Sequence, residues 1–132
     1  MTILRAALRL QSAQRSCKEL SALVGAEPTR CMERGAPVSS RNPDGPVRTL
    51  STWRYESGVE DGTFHDHVTA LAPLFDRLAH GVPDDVEYDL VVMAEGRSMG
   101  SLFELDVESL AVLHRAKSSI TFDVYVEETP PE

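Results

Sequence analysis

The sequence has no run approaching the roughly 18 apolar residues that a membrane-spanning helix needs, which excludes a helical membrane protein. It has only two cysteines, too few for a disulfide framework and not arranged as a zinc cluster. Cys17 and Cys31 therefore read as reduced thiols in a cytosol, where bridges are rare. No secretory leader is expected either: Arg5 and Arg9 interrupt the apolar stretch of Met1 to Leu10, whereas a signal peptide needs an unbroken apolar core of about 7 to 15 residues. The expectation is a cytoplasmic protein. Positive charge is scarce as well, with 13 Lys and Arg against 21 Asp and Glu, a net charge of -8. Nucleic acid and an anionic membrane surface are poor partners for such a field.

The 132 residues are one domain's worth of chain, and 42% hydrophobic with 26% charged is an ordinary globular composition. A single globular domain is expected over residues 1–128, with a polar, proline-bearing tail at 129–132 that frays. The charge is uneven along the chain. Residues 1–55 hold nine basic and four acidic side chains, and residues 56–132 hold four and seventeen, so the halves carry +5 and -13. The acidic half suits a basic protein partner.

Strict alternation from Leu4 predicts a strand, with Leu4, Ala6, Leu8 and Leu10 on one face and Arg5, Ala7, Arg9 and Gln11 on the other. Ser16 and Glu19 form a capping box, and the stripe Cys17, Leu20, Leu23, Val24 predicts a short helix ended by Gly25. From Gly25 to Pro46 prolines and glycines leave no period, which predicts a long loop, either functional or partly disordered. Val47 to Ser57 alternates, with Ser51, Trp53 and Tyr55 opposite Thr52, Arg54 and Glu56. Thr63 and Asp66 open a second helix over Phe64 to His80, broken or kinked at Pro73. Tyr88 to Glu95 predicts a covered strand. Asp106 caps a third helix with the stripe Val107, Leu110, Leu113, His114. The last strand puts Ile120, Phe122, Val124 and Val126 on a buried face. Leu102 to Leu105 is a candidate extra strand. The sum is an α+β two-layer sandwich, a mixed sheet of four to five strands with helices on one face, on a ferredoxin-like plan with an inserted helix. In that order the first and last strands are neighbours.

Three chemical constellations fail their own spacing tests. Gly96, Arg97, Ser98, Met99, Gly100 spells the nucleophile elbow of serine hydrolases, and Asp106 and His114 follow in the right chain order, but an elbow must lead straight into a helix. His65, Asp66 and His67, with His80 or His114 beyond, offer metal donors, yet residues two apart on a helix point to opposite sides. Asp84, Asp85, Glu87 and Asp89 lack the glycine and closing glutamate of a calcium loop and read as a solvated acidic edge. No catalytic residue, cofactor or metal is expected.

The opening strand, Leu23-Val24-Gly25 with Pro28, the Arg34-Gly35 pair, the Ser51-Thr52-Trp53 strand, the His67 to Leu78 helix and the closing Ile120 to Tyr125 strand together resemble a bacterial domain of unknown function family, number 4279. The resemblance implies a small stand-alone domain with no established activity or cofactor, and it supplies no catalytic residues. Gly96 to Gly100 departs from the plainer turn of that family.

The reading that fits these observations is a non-enzymatic protein-protein interaction module, an immunity-type or regulatory partner of a basic protein. Its expected binding surface is the uncovered sheet face with Arg5, Arg9, Asp123 and Tyr125, and Trp53 as a further aromatic contact. The alternative is a small-ligand-binding domain or minor enzyme using the 26–46 loop and the open sheet face.

Overall fold

A computed structural model describes residues 2–97 and 103–127. The alternating apolar residues near the N-terminus form β1 (Thr2–Ser12), whose Ile3, Ala6, Leu8 and Leu10 are all buried. Beyond it lie β2 (Arg30–Met32), β3 (Ser51–Glu56), β4 (Val86–Arg97) and β5 (Ser119–Glu127). They make one mixed sheet in the order β2-β3-β1-β4-β5, antiparallel except for β4 and β5, which run parallel. That parallel pair is closed by a helical crossover, as two parallel neighbours require.

The three helices are α1 (Cys17–Val24), α2 (Phe64–Ala79) and α3 (Val107–Arg115). Each starts where a short polar side chain meets the third backbone N–H: Ser16 and Thr63 complete reciprocal capping boxes with Glu19 and Asp66, and Asp106 caps α3 through the Ser109 N–H. Gly25, at φ 75°, takes the left-handed turn that ends α1. The central helix α2 buries Phe64, His67, Val68, Leu71, Phe75 and Leu78, a stripe of three and four spacings, against Leu8, Leu10, Leu90 and Val92 of the sheet. Trp53 and Tyr88 lie on that same covered face. Trp53 Nε1 donates to Ser21 Oγ in α1, and the Tyr88 hydroxyl donates to the Ala116 carbonyl beyond α3. The sheet thus has one face under helices and one open face, the α+β class expected from the pattern.

Several expectations are corrected. Cys17 and Cys31 are disulfide-bonded, not reduced thiols, their Cα atoms 6.1 Å apart. The bond ties α1 to β2, a strand unseen in the sequence because three residues carry no period. The rest of the long loop is a hairpin-like arm: Gly35 N–H donates to Arg48 O, Arg48 N–H to Ala36 O and Val38 N–H to Pro46 O. β3 accordingly begins at Ser51, later than the alternation suggested. β4 separates β1 from β5, so the first and last strands are not neighbours. α2 runs unbroken through Pro73, whose exposed position lets water take the carbonyl that the missing N–H leaves free. α3 buries Ser109 and Leu113, while Val107 is 81% exposed, so its inner stripe is displaced from the predicted one. Phe122 shares the covered face by register with Val92 but is 40% exposed, on the strand at the sheet's edge. Ser98, most of the Gly96 to Gly100 turn, Leu102 and the 129–132 tail lie outside the described residues; Phe103–Leu105 is irregular.

Candidate functional site

On the open face, the residues directly opposite one another across strands form rows. One row reads Arg30 (β2), Arg54 (β3), Arg9 (β1), Asp89 (β4) and Ser119 (β5). A second runs Met32, Thr52, Gln11 and Glu87, and towards the other end Arg5 lies opposite Met93, itself opposite Asp123. Apart from Glu56 at the end of β3, basic side chains therefore occupy the β2-β3-β1 side and acidic ones the β4-β5 side. Where the zones meet, Arg9 donates to both Asp89 oxygens, at 2.9 and 2.6 Å, and Thr121 Oγ1 donates to the same carboxylate at 2.6 Å. A second clamp lies just beyond the end of that β1/β4 seam, after β1 and before β4. Arg15 donates to both oxygens of Asp85, whose carboxyl that guanidinium holds below the ordinary range, and Ser12 Oγ donates to one of them.

The residues singled out in the sequence divide accordingly. Arg5, Arg9, Asp123 and Tyr125 do share the open face, with β4 between the two pairs. Tyr125 is 52% exposed and donates to Asp123, the contact that raises its hydroxyl pKa. Trp53 does not belong with them: it is on the opposite face, fully buried under α1, so it cannot touch a partner. Within the segment 84–89, Asp84 and Glu87 are exposed as expected, but Asp85 and Asp89 are not free acidic groups: Arg15 and Arg9 hold them.

At the basic corner the open face dips into a concavity of about 780 Å³. Arg5, Arg30 and Arg54 line it, with Met32 and Met93, and the turn from Ser57 to Glu60 forms one wall. Sequence reasoning placed Arg54 on the correct face but missed Arg30, whose side is fixed only by the register of β2 on β3. Arg54 reaches Glu56 at 3.7 Å, a loose pair, and Arg5 donates to the Met93 sulfur at 3.4 Å, a weak acceptor. The arm at 33–50 contributes none of the described lining residues.

Two histidine contacts complete the inventory. His65 Nδ1 lies 2.9 Å from Asp106 Oδ2, and Glu108 is 3.9 Å away, so these three could contact a cation. The Asp106 oxygen is already engaged, however, accepting from both the backbone and the hydroxyl of Ser109 as the cap of α3. The arrangement ties the start of α2 to the start of α3, and the Asp106 hydrogen bond raises the His65 pKa. Asp106 thus pairs with His65, and not with the exposed His114 of the triad order. His67 faces the other way, fully buried, its Nδ1 2.7 Å from Ser57 Oγ. Ser57 Oγ also accepts from the Val59 N–H, and burial lowers the pKa of the imidazole by disfavouring its charged form. Its place three residues after Phe64 and four before Leu71 on the apolar stripe was the signal for this contact. Among the described residues no carboxylate partners the second nitrogen, and the pair fastens the end of β3 to α2.

A family model described as a domain of unknown function, DUF4279, matches residues 2–127, nearly the whole chain, and the chain belongs to this family. No curated protein and no solved structure gives a significant match.

Proposed function

We propose that this member of the family is a non-catalytic binding module that docks another protein on its open sheet face, in the manner of a regulatory or immunity-type partner. The observation that carries the reading is the two-signed face. Arg5, Arg30 and Arg54 stand on one side of the Arg9–Asp89 seam, and Glu87, Glu95 and Asp123 on the other. A surface zoned in this way selects a partner by complementary potential and fixes its register, since a rotated partner would set like charges together. The partner would present a basic strip to β4 and β5. With a net charge of -8 on the whole chain, attraction of a basic protein also speeds encounter at low salt. The Cys17–Cys31 bond removes one of the grounds on which a cytoplasmic location was expected, and the reading does not depend on one.

The test is carboxyl footprinting of the complex purified from the native host through a tag on this chain. Carbodiimide-driven amidation of Glu87, Glu95 and Asp123 is expected to drop on complex formation, and Glu95→Lys with Asp123→Lys to weaken the complex at least tenfold. Protection confined to carboxylates of the helical layer, such as Asp76 or Glu19, would overturn the reading.

A further inference from the structure

We infer that the concavity at the β2-β3-β1 corner is a binding site for a small organic anion, a carboxylate or phosphate carried on an apolar body. Arg30 and Arg54 are directly opposite on β2 and β3, and Arg54 is directly opposite Arg9 on β1. Like charges facing each other across a ladder are destabilising, and only one of these three guanidinium groups has a close carboxylate. Arg9 is held by Asp89 in a two-bond fork, whereas Arg54 meets Glu56 only at 3.7 Å, with its Nε and the Glu56 Oε2 both enclosed and without a hydrogen-bond partner. Arg30 is exposed and makes no side-chain hydrogen bond or ion pair with the described residues. Arg5 adds a third guanidinium on the far side of the concavity, resting on a thioether.

An anion placed between Arg30 and Arg54 would remove the repulsion, and guanidinium groups recognise carboxylate and phosphate by paired N–H donors. The rest of the lining sets the remainder of the ligand. A volume of about 780 Å³ lies within the range of small-molecule sites, far more than a bare inorganic anion fills. Met32 and Met93 offer polarizable, adaptable apolar surface on either side, which suits an aromatic or aliphatic body. Glu56 and Glu60, also in the lining, would disfavour a second negative group at that wall and confine the anion to the Arg30 and Arg5 sides.

The proposal concerns the purified chain alone and stands or falls independently of any protein partner. Phenyl phosphate is titrated into isotopically labelled protein and followed by amide chemical shifts, with benzyl alcohol as the uncharged probe and inorganic phosphate as the bare anion. Phenyl phosphate is expected to shift residues 29–32, 54–60 and Met93 saturably, inorganic phosphate to bind at least fivefold more weakly, and benzyl alcohol to leave them unmoved. Arg30→Gln and Arg54→Gln should each weaken phenyl phosphate at least fivefold, while Arg41→Gln, on the exposed arm, should not. Since Arg30 is exposed, its variant remains folded, and relief of the repulsion should raise its melting temperature in the absence of ligand. Absence of saturable shifts at these residues, or affinity for phenyl phosphate undiminished in Arg30→Gln and Arg54→Gln, would overturn the assignment.

Discussion

Asp89→Asn tests the electrostatic architecture of the open face at its centre. Asp89 accepts two hydrogen bonds from Arg9 and one from Thr121, and the two charged side chains are only 27% and 13% exposed. Fully exposed pairs are worth about 0.2 to 1 kcal/mol, whereas removing one partner of a buried pair costs about 3 to 5 kcal/mol. A half-buried, forked pair lies between these limits, and a loss of about 2 kcal/mol is expected. For a chain of this size that corresponds to a melting temperature lower by roughly 6 to 10 °C.

The direction of the asymmetry is the sharper test. Asp89→Asn leaves Arg9 without a counter-charge, directly opposite Arg54 on β3, with Arg30 one strand further on. Arg9→Gln leaves Asp89 with the Thr121 hydroxyl and relieves Arg54 of a like-charged neighbour. Asp89→Asn should therefore be the more damaging single change, and the double variant should be more stable than Asp89→Asn alone, because no orphaned charge remains. Urea denaturation of the four proteins measures this cycle. A loss below about 0.5 kcal/mol for Asp89→Asn, at the level of an exposed pair, would refute the assignment of this pair as the seam of the face.

Reducing the disulfide, whose cysteines are 14 residues apart, should lower stability by about 3 kcal/mol, read as a shift of the urea midpoint with and without reductant; equal midpoints would contradict a bond formed in solution. The two histidines of α2 should act with opposite sign on stability against pH. His65, its pKa raised above the ordinary 6.5 by Asp106, contributes stability that is complete below that value and is lost as pH climbs through the raised folded value. His67, its pKa lowered by burial, costs stability as pH falls below 6.5 towards its folded value. His65→Ala should flatten only the alkaline limb of a melting-temperature profile and His67→Leu only the acid limb; any other pairing would contradict these environments. Phe122→Ala should cost only about 1 to 2 kcal/mol, below the 3 to 5 kcal/mol of a sealed aromatic, because 40% of it is exposed and its described aromatic contact is with Phe103. A calorimetric loss above 3 kcal/mol would mean that the edge strand is covered.

What could be read in the sequence is what local chemistry determines. The Ser16 and Thr63 capping boxes, the alternation of β1 and the stripe of α2 each declare themselves within one element of the chain. β2 did not, because its existence depends on pairing with β3 and on the bond from Cys31 to Cys17. The displaced stripe of α3 has a similar cause. A nine-residue helix with apolar residues at Val107, Leu110, Val112 and Leu113 offers two overlapping faces, and packing on α2 selects the one through Ser109 and Leu113. For the candidate site, alternation alone put Arg5, Arg9 and Arg54 opposite the apolar positions of their strands. It could not say that Arg30 joins them, or that Asp89 answers Arg9, since register across strands is a tertiary fact.

That register explains the asymmetry of charge along the chain. A body whose first half carries +5 and whose second half carries -13 could have interleaved the two and cancelled the field. The strand order prevents this: β2, β3 and β1 come wholly from residues 2–56 and β4 and β5 wholly from residues 86–127, so a division in sequence becomes a division in space. Among the described residues one ladder, β1 on β4, joins the halves; Arg9 and Asp89 join opposite charges on it, and Arg15 and Asp85 do so just beyond its end. Away from the seam the basic zone keeps its sign except at Glu56, and the Arg30–Arg54 opposition shows that this extends to repulsive neighbours. Stability alone gives no reason to keep such a row, since neutral or mixed side chains at the same positions would pair better. A segregated field is of use for recognising a molecule that carries the complementary pattern, and the open face is where this chain displays it.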